Sequence, residues 1–344
     1  MDPVTHLLTG ACLARAGLNR KSALATSVVV LAAEAPDLDI VVYFRGSLSG
    51  FEHHRGITHT LIGVPLCAAL VLGFVWLLYR GRMSRGWRPK REVKWPTLFG
   101  LACIAGLSHI LLDFTNQYGV RPFEPFSYRW YSWDIVSIIE PVMLLFLLGG
   151  LLLPGLFGLI NEEIGARAKG PRGRVGAIVA LVLICALWWF RDIQHRRAVN
   201  ALDAQSYSGA DPIRVSAYPY DTNPFEWYGV VETEGFFATM HVDSRRPEVD
   251  PDRRMRIRYK PQETPVTLAA KSSRMGRVYL DWAAYPYTEV EKLQPPESGY
   301  LVTFYDLRFA YPERAVPGLS AKVELDDHLD VRLEGMGRRL QPPD

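Results

Sequence analysis

His53-His54-Arg55-Gly56-Ile57-Thr58-His59 runs directly into residues 60–79, an apolar stretch without a single charge. About 20 such residues are enough to cross a bilayer as a helix. Three imidazoles and a guanidinium at the mouth of a membrane helix are costly unless they are used, and ionisable groups in that position mark functional sites. Imidazole is also the commonest side chain among metal ligands. Of the other five histidines, His6 and His109 also lie on apolar segments. The stretch therefore points to a membrane protein with a metal site at one face, assembled from several helix ends.

Outward from this stretch the chain divides into two halves. Residues 3–17 read as a short helix with Pro3 near its first turn. No basic region precedes it, so it is not expected to be a cleaved signal peptide. Residues 22–44, 95–112, 135–160 and 175–190 are further apolar stretches. After Arg191 no such run occurs. Segments 227–232, 255–259, 278–282, 300–305 and 323–325 are short and rich in β-branched and aromatic residues, with Pro and Gly between them, which predicts antiparallel strands. Residues 192–202 read as a helical neck. The expected fold is an α + β two-domain chain: a polytopic α-helical membrane domain over residues 1–190, followed by a soluble antiparallel β domain over 191–344.

The chain has 344 residues, 49% of them hydrophobic and 22% charged. Its net charge of +3 is too small to argue for nucleic acid as a partner. The distribution of charge is more informative. Arg80, Arg82, Arg85, Arg88, Lys90, Arg91 and Lys94 crowd one loop, Arg167, Lys169, Arg172 and Arg174 another, and Arg20 and Lys21 a third. Short basic loops stay cytoplasmic. Counting from there puts the His53–His59 stretch, residues 113–134 and the β domain on the outer side, with His6, Asp37 and Asp39 at the outer ends of their segments. Cys12, Cys67, Cys103 and Cys185 lie in apolar segments with no C-x-x-C spacing, so they predict neither a disulfide framework nor a thiolate metal site.

His109 and Asp113 are four residues apart and share one helix face. Pro36-Asp37-Leu38-Asp39 ends or kinks the preceding helix and offers two carboxylates there. His6, His54 and His59 complete the candidate ligand set, with His53 as a further possibility and Asp134 and Glu140 as groups that orient a ligand. His195, His241 and His328 lie outside it. Imidazoles with carboxylates suit zinc, one or two ions, or manganese. Such a metal lowers the pKa of water from about 16 to roughly 7 and polarises a scissile bond. Arg55 has the planar fork that grips a phosphate, and with His54 it is the candidate for a direct catalytic part.

Residues 2–10 (DPVTHLLTG), Pro36-Asp37-Leu38-Asp39, His54-Arg55-Gly56-Ile57-Thr58-His59, Ser108-His109-Ile110-Leu111-Leu112-Asp113, Asn116-Gln117-Tyr118-Gly119 and Pro125-Phe126-Ser127 together resemble the YdjM-like family of bacterial inner-membrane, metal-dependent hydrolases. The resemblance covers about residues 1–160. Glu140 before Pro141 departs from the aspartate the family pattern implies. A more distant similarity is to zinc-dependent phospholipase C and the related single-strand nucleases, whose order of His, Asp, His and H-x-x-x-D is matched by His6, Asp39, His59, His109 and Asp113. These resemblances imply a hydrolase of the inner membrane, acting at its outer face on a phosphoester or lipid-linked substrate, with the bilayer as its partner. Asp113 and Asp39 would be carboxylate ligands, and His6, His59 and His109 imidazole ligands. Two other readings stay open. One is a non-catalytic anchor that presents the β domain to a partner and carries a structural metal; the other is a metal or proton transporter.

Overall fold

The computed structural model describes residues 1–163, 173–295, 298–312 and 318–343. Arg167, Lys169 and Arg172 of the basic cluster that ends at Arg174 lie outside the described residues. The chain divides into two compact units. One comprises Met1–Asp39, Arg55–Ile193 and Asp221–Asn223; the other comprises Ile40–His54, Gln194–Tyr220 and Pro224–Asp344. The fold is α + β, with helices first and antiparallel sheets after them. The assignment of residues 40–54 to the second unit is not visible in the sequence.

The helices of the first unit are α1 (Pro3–Ala16), α2 (Ala25–Glu34), α4 (Gly63–Ser84), α5 (Trp95–Phe114), α6 (Pro141–Glu163) and the start of α7 (Arg174–Asp203); α3 (Ser47–His53) belongs to the second. Three of them, α4, α5 and α7, are long and apolar enough to cross a membrane. At 14 and 10 residues, α1 and α2 are too short to cross alone, since a span needs about 20. The stretch 22–44 is therefore not one helix. Its helix stops at Glu34 and residues Ala35–Arg45 wind as a 3-10 helix. Pro36 explains the break, because its ring has no N–H to give and crowds the turn before it. Neck and last span form the single helix α7.

Two close approaches set the packing around the ligand-bearing ends. A Cβ on Gly10 would lie 2.8 Å from the Cβ of Ala33, so α1 and α2 meet with almost nothing between them. A Cβ on Gly63 would lie 1.8 Å from the carbonyl oxygen of Ile57, which lets the turn at residues 57–59 fold back onto the start of α4. Thr60 supports that turn, since its Oγ1 donates to Ile57 O and accepts from Gly63 N, each at 2.8 Å. Behind these ends α1, α2, α4 and α5 share one apolar core that includes Val28, Val29, Ala68 and Leu98.

In the second unit, β1 (Arg214–Pro219), β2 (Glu226–Glu232), β3 (Phe236–Asp243), β4 (Glu248–Val249) and β5 (Arg256–Tyr259) form one antiparallel sheet. The other sheet runs in the order β10 (Arg339–Gln341), β9 (Val331–Met336), β8 (Ala321–Leu325), β7 (Tyr300–Asp306), β6 (Pro286–Lys292). Successive strand residues point to opposite faces, and β2 is buried on both. Trp227 and Val231 pack with Ala198 and Leu202 of α7, whereas Tyr228 and Val230 pack with Tyr285 and Leu307. Residues 278–282, expected as a strand, instead end helix α9 (Arg274–Trp282), which follows α8 (Pro265–Ser272). The Ser273 side chain caps α9 by accepting from Gly276 N, and Met275, Tyr279 and Trp282 repeat at helical spacing on the buried face.

Replacing Gly10 by leucine should force α1 off α2. Overpacking of this kind costs about 1–3 kcal/mol, and the expected result is a lower thermal midpoint of the detergent-purified protein, with Gly10→Ala intermediate.

Candidate metal centre

Asp37, His59, His109 and Asp113 converge, each presenting one ligand atom within 4.8 Å of the others. They come from the 3-10 helix after α2, the turn before α4, and the last turns of α5. The helices α4 and α5 run in opposite directions along the chain path, so these ends lie away from the basic connection between Ser84 and Trp95. His59 Nε2 is 3.1 Å from His109 Nε2, 3.3 Å from Asp37 Oδ1 and 3.4 Å from Asp113 Oδ2, and His109 Nε2 is 3.5 Å from each of those oxygens. Ligands at about 2.0–2.1 Å around a tetrahedral zinc stand roughly 3.3 Å from one another. The spacing of the four donors fits such an ion.

The opposite nitrogen of each ring fixes its tautomer. His109 Nδ1 is 2.7 Å from the carbonyl of Ala33, which can only accept, so Nδ1 carries the proton. His59 Nδ1 lies 3.4 Å from Asp39 Oδ2 and 3.0 Å from Thr58 Oγ1. Both rings turn Nε2 inward, toward two carboxylate oxygens, one of which, Asp113 Oδ2, is buried without a hydrogen-bond partner. Two ring nitrogens and two carboxylate oxygens gathered in a mostly buried setting are a donor set that could hold a cation. Burial pushes the Asp37 carboxyl up, but the His109 and His59 rings pressed against it outweigh that and hold it below the ordinary carboxylate range; a cation among them would act in the same direction. The side chain of Asp37 is 20% exposed while those of the other three are fully buried, so the site opens past Asp37.

The other candidates take different places. Asp39, expected to be a ligand, instead joins the ligand-bearing stretches: its Oδ2 accepts from the backbone N–H of Arg55 at 2.8 Å and faces His59 Nδ1. Such a carboxylate orients an imidazole and raises its basicity. Arg55, expected to grip a substrate anion, is 4% exposed and engaged by protein acceptors. It donates to Asp113 Oδ1 at 2.8 Å, to Gly119 O at 2.8 Å and to Asn116 Oδ1 at 3.4 Å, with its guanidinium over the Tyr118 ring. The Met1 amino group also pairs with Asp113 Oδ1. His6 is fully buried and stacks on the His109 ring at 3.7 Å, with Nε2 3.4 Å from Asp113 Oδ1. It thus lies beside the carboxylate oxygen that the four donors do not use.

His54 and His53 belong to the second unit, where His54 meets the ring of Tyr43 and His53 Nδ1 lies 2.9 Å from Ser49 O. Glu140 pairs with Arg191 at 3.9 Å instead of orienting a ligand. Asn116, Tyr118 and Gly119 are functional neighbours that chemistry-based reading of the sequence passes over. The sequence marks the stretch 116–119 only through the family resemblance, with no role for it, and the Ala33 carbonyl has no signal at all.

A family model described as YdjM inner membrane protein matches residues 1–198, more than half of the chain and every residue of the metal centre. The chain belongs to this family. It is a membrane protein, and its α4, α5 and α7 are the apolar helices the family description leads one to expect. It is also 26% identical over 149 residues to "Uncharacterized protein YfhP" of Bacillus subtilis (strain 168), a match that covers 41% of this chain and 42% of that protein. The chain therefore spans less than half the length of this curated relative. No solved structure matches.

Metal analysis of purified protein should separate these roles. His59→Ala and Asp113→Asn are expected to lose bound zinc, whereas Asp39→Asn should keep it with affinity lowered about 10–100-fold. Since protons compete with the metal for its ligands, zinc retention should fall as the pH is lowered, read by a chelator-coupled release assay.

Proposed function

We propose that the chain is a membrane-bound, metal-dependent hydrolase whose substrate is a phosphoester or lipid-linked compound. The observation that carries this reading is the convergence of the buried His59 Nε2, His109 Nε2 and Asp113 Oδ2 at spacings suited to one ion, with Asp37 Oδ1 beside them on the open side. His59, His109 and Asp113, all fully buried, would be the fixed ligands of a zinc or manganese ion. When bound, the metal would supply Lewis acidity toward the scissile group and toward water. Arg55 would hold Asp113 through Oδ1 and leave Oδ2 turned to the ion. Asp39 would keep the proton of His59 on Nδ1. Asp37 stands on the open side, where its Oδ1 would take a proton from water as a general base.

The basic connection after α4 favours a multi-pass arrangement with that connection in the cytoplasm. The metal centre and the β domain would then face the outside of the inner membrane. An apolar substrate is supported by Leu38 and Ile57, which are 61% and 47% exposed next to the donor-bearing residues. Approach of a lipid would cover both. The distant similarity to zinc-dependent phospholipase C is consistent with a phosphodiester.

A second reading has one observation in its favour. Four protein donors complete a tetrahedral shell, which is the mark of a structural zinc site. In that case Asp37 is the fourth ligand and the membrane unit anchors the β domain.

The substitution Asp37→Asn separates the two. For a hydrolase, the variant keeps its metal but loses at least about 100-fold in turnover of a chromogenic phosphodiester or a short-chain phospholipid. Loss of the metal from the Asp37→Asn protein, with no turnover by the wild type, would establish the structural role instead.

A further inference from the structure

We infer that the second unit positions the metal ligands, by gripping the chain segment that connects them. Residues 40–54 leave the first unit after Asp39 and return to it at Arg55. The loop is closed at its roots by the hydrogen bond from Arg55 N to Asp39 Oδ2, 2.8 Å, next to Asp37 on one side and His59 on the other. Its tip is the short helix α3. Phe51 of α3 is buried, stacked on Tyr279 with centroids 6.0 Å apart and edge-on to Trp282 at 5.3 Å. Glu52 accepts from Arg274 Nη2 at 2.6 Å, and the same nitrogen is 3.5 Å from Ser49 Oγ. At the start of α3, Gly46 has φ +121°, and a Cβ there would stand 2.7 Å from the Gln341 side chain of β10.

Arg274, Tyr279, Trp282 and Gln341 all lie outside the 1–198 region that the family model matches. The part of the chain beyond that region thus holds a segment inside it, and the two ends of that segment carry Asp37, Asp39, Arg55 and His59. Two roots tied by one hydrogen bond transmit a shift of the tip to both ligand-bearing stretches. Phe51, Glu52 and Arg274 are in this sense positioning residues. They touch no donor atom and act through the 3-10 helix before them and the turn after them.

This rests on the metal reading above. The test uses full-length protein, with zinc affinity measured by chelator competition and the visible absorption of the cobalt(II)-loaded form as a signature of ligand geometry. Phe51→Ala and Glu52→Arg are expected to weaken zinc binding about tenfold and to alter the cobalt(II) bands. The charge exchange Glu52→Arg/Arg274→Glu should restore both. Folded single variants with wild-type affinity and spectrum would overturn the inference, as would a double variant no better than Glu52→Arg. If the wild type binds neither metal, the hydrolase reading fails and the grip is read on its own by hydrogen exchange. Faster exchange over residues 35–39 and 55–59 in Glu52→Arg, reversed by the exchange of charges, supports it, and unchanged exchange refutes it.

Discussion

Two imidazole nitrogens 3.1 Å apart, with carboxylate oxygens of Asp37 and Asp113 within 3.5 Å of both, form a buried cluster that positive charge at its centre would hold together. The membrane unit is arranged around this constraint. α5 supplies His109 and Asp113 one turn apart, α2 offers a carbonyl that locks the His109 tautomer, and the turn at residues 57–59 swings His59 across. Arg55 neutralises the oxygen of Asp113 on the side away from the donors. Charge this deeply placed is stabilising only when every member has a partner, because a lone buried ion loses its hydration with no return. The same reasoning explains why the Asp39 carboxylate serves the backbone of Arg55 and the ring of His59 together: one oxygen accepts from the Arg55 N–H and faces His59 Nδ1.

Close backbone approach is the second requirement, and it is met by absent side chains. Gly10 and Gly63 allow α1 to lie on α2 and the His59 turn to lie on α4. Neither contact adds chemistry. One holds α1 against the end of α2, where the Ala33 carbonyl meets His109, and the other holds the turn that carries His59 against the start of α4.

Much of this was legible in the sequence. The i, i+4 spacing of His109 and Asp113 specifies one face of one helix, and the uncharged run after His59 specifies a membrane helix beginning there. The division of labour between Asp37 and Asp39 was not legible. Two residues apart in a PDLD stretch, they look equivalent until the 3-10 winding after Pro36 turns one toward the ring nitrogens and the other toward Arg55. Arg55 read as an anion clamp because its burial depends on Gly119, Asn116 and Tyr118, more than sixty positions away. Residues 278–282 read as a strand because Val, Tyr and Trp favour strands. The Ser273 cap and the buried spacing of Met275, Tyr279 and Trp282 override that preference. The membership of residues 40–54 in the second unit is a tertiary fact without a local signature.

The order of the donors along the chain bears on how the protein is made. Asp37, His59, His109 and Asp113 have all been synthesised once α5 is complete, so the whole candidate donor set is present while the rest of the chain is still to be made. The residues that grip the 40–54 segment, Arg274 through Gln341, are added much later. With the proposed metal and the proposed grip, biogenesis would have two stages: a loosely held pocket open to metal exchange, and a tightened one formed only when the sheets have folded. A ribosome-bound intermediate and the finished protein would differ in how fast they exchange metal, although their donor atoms are the same.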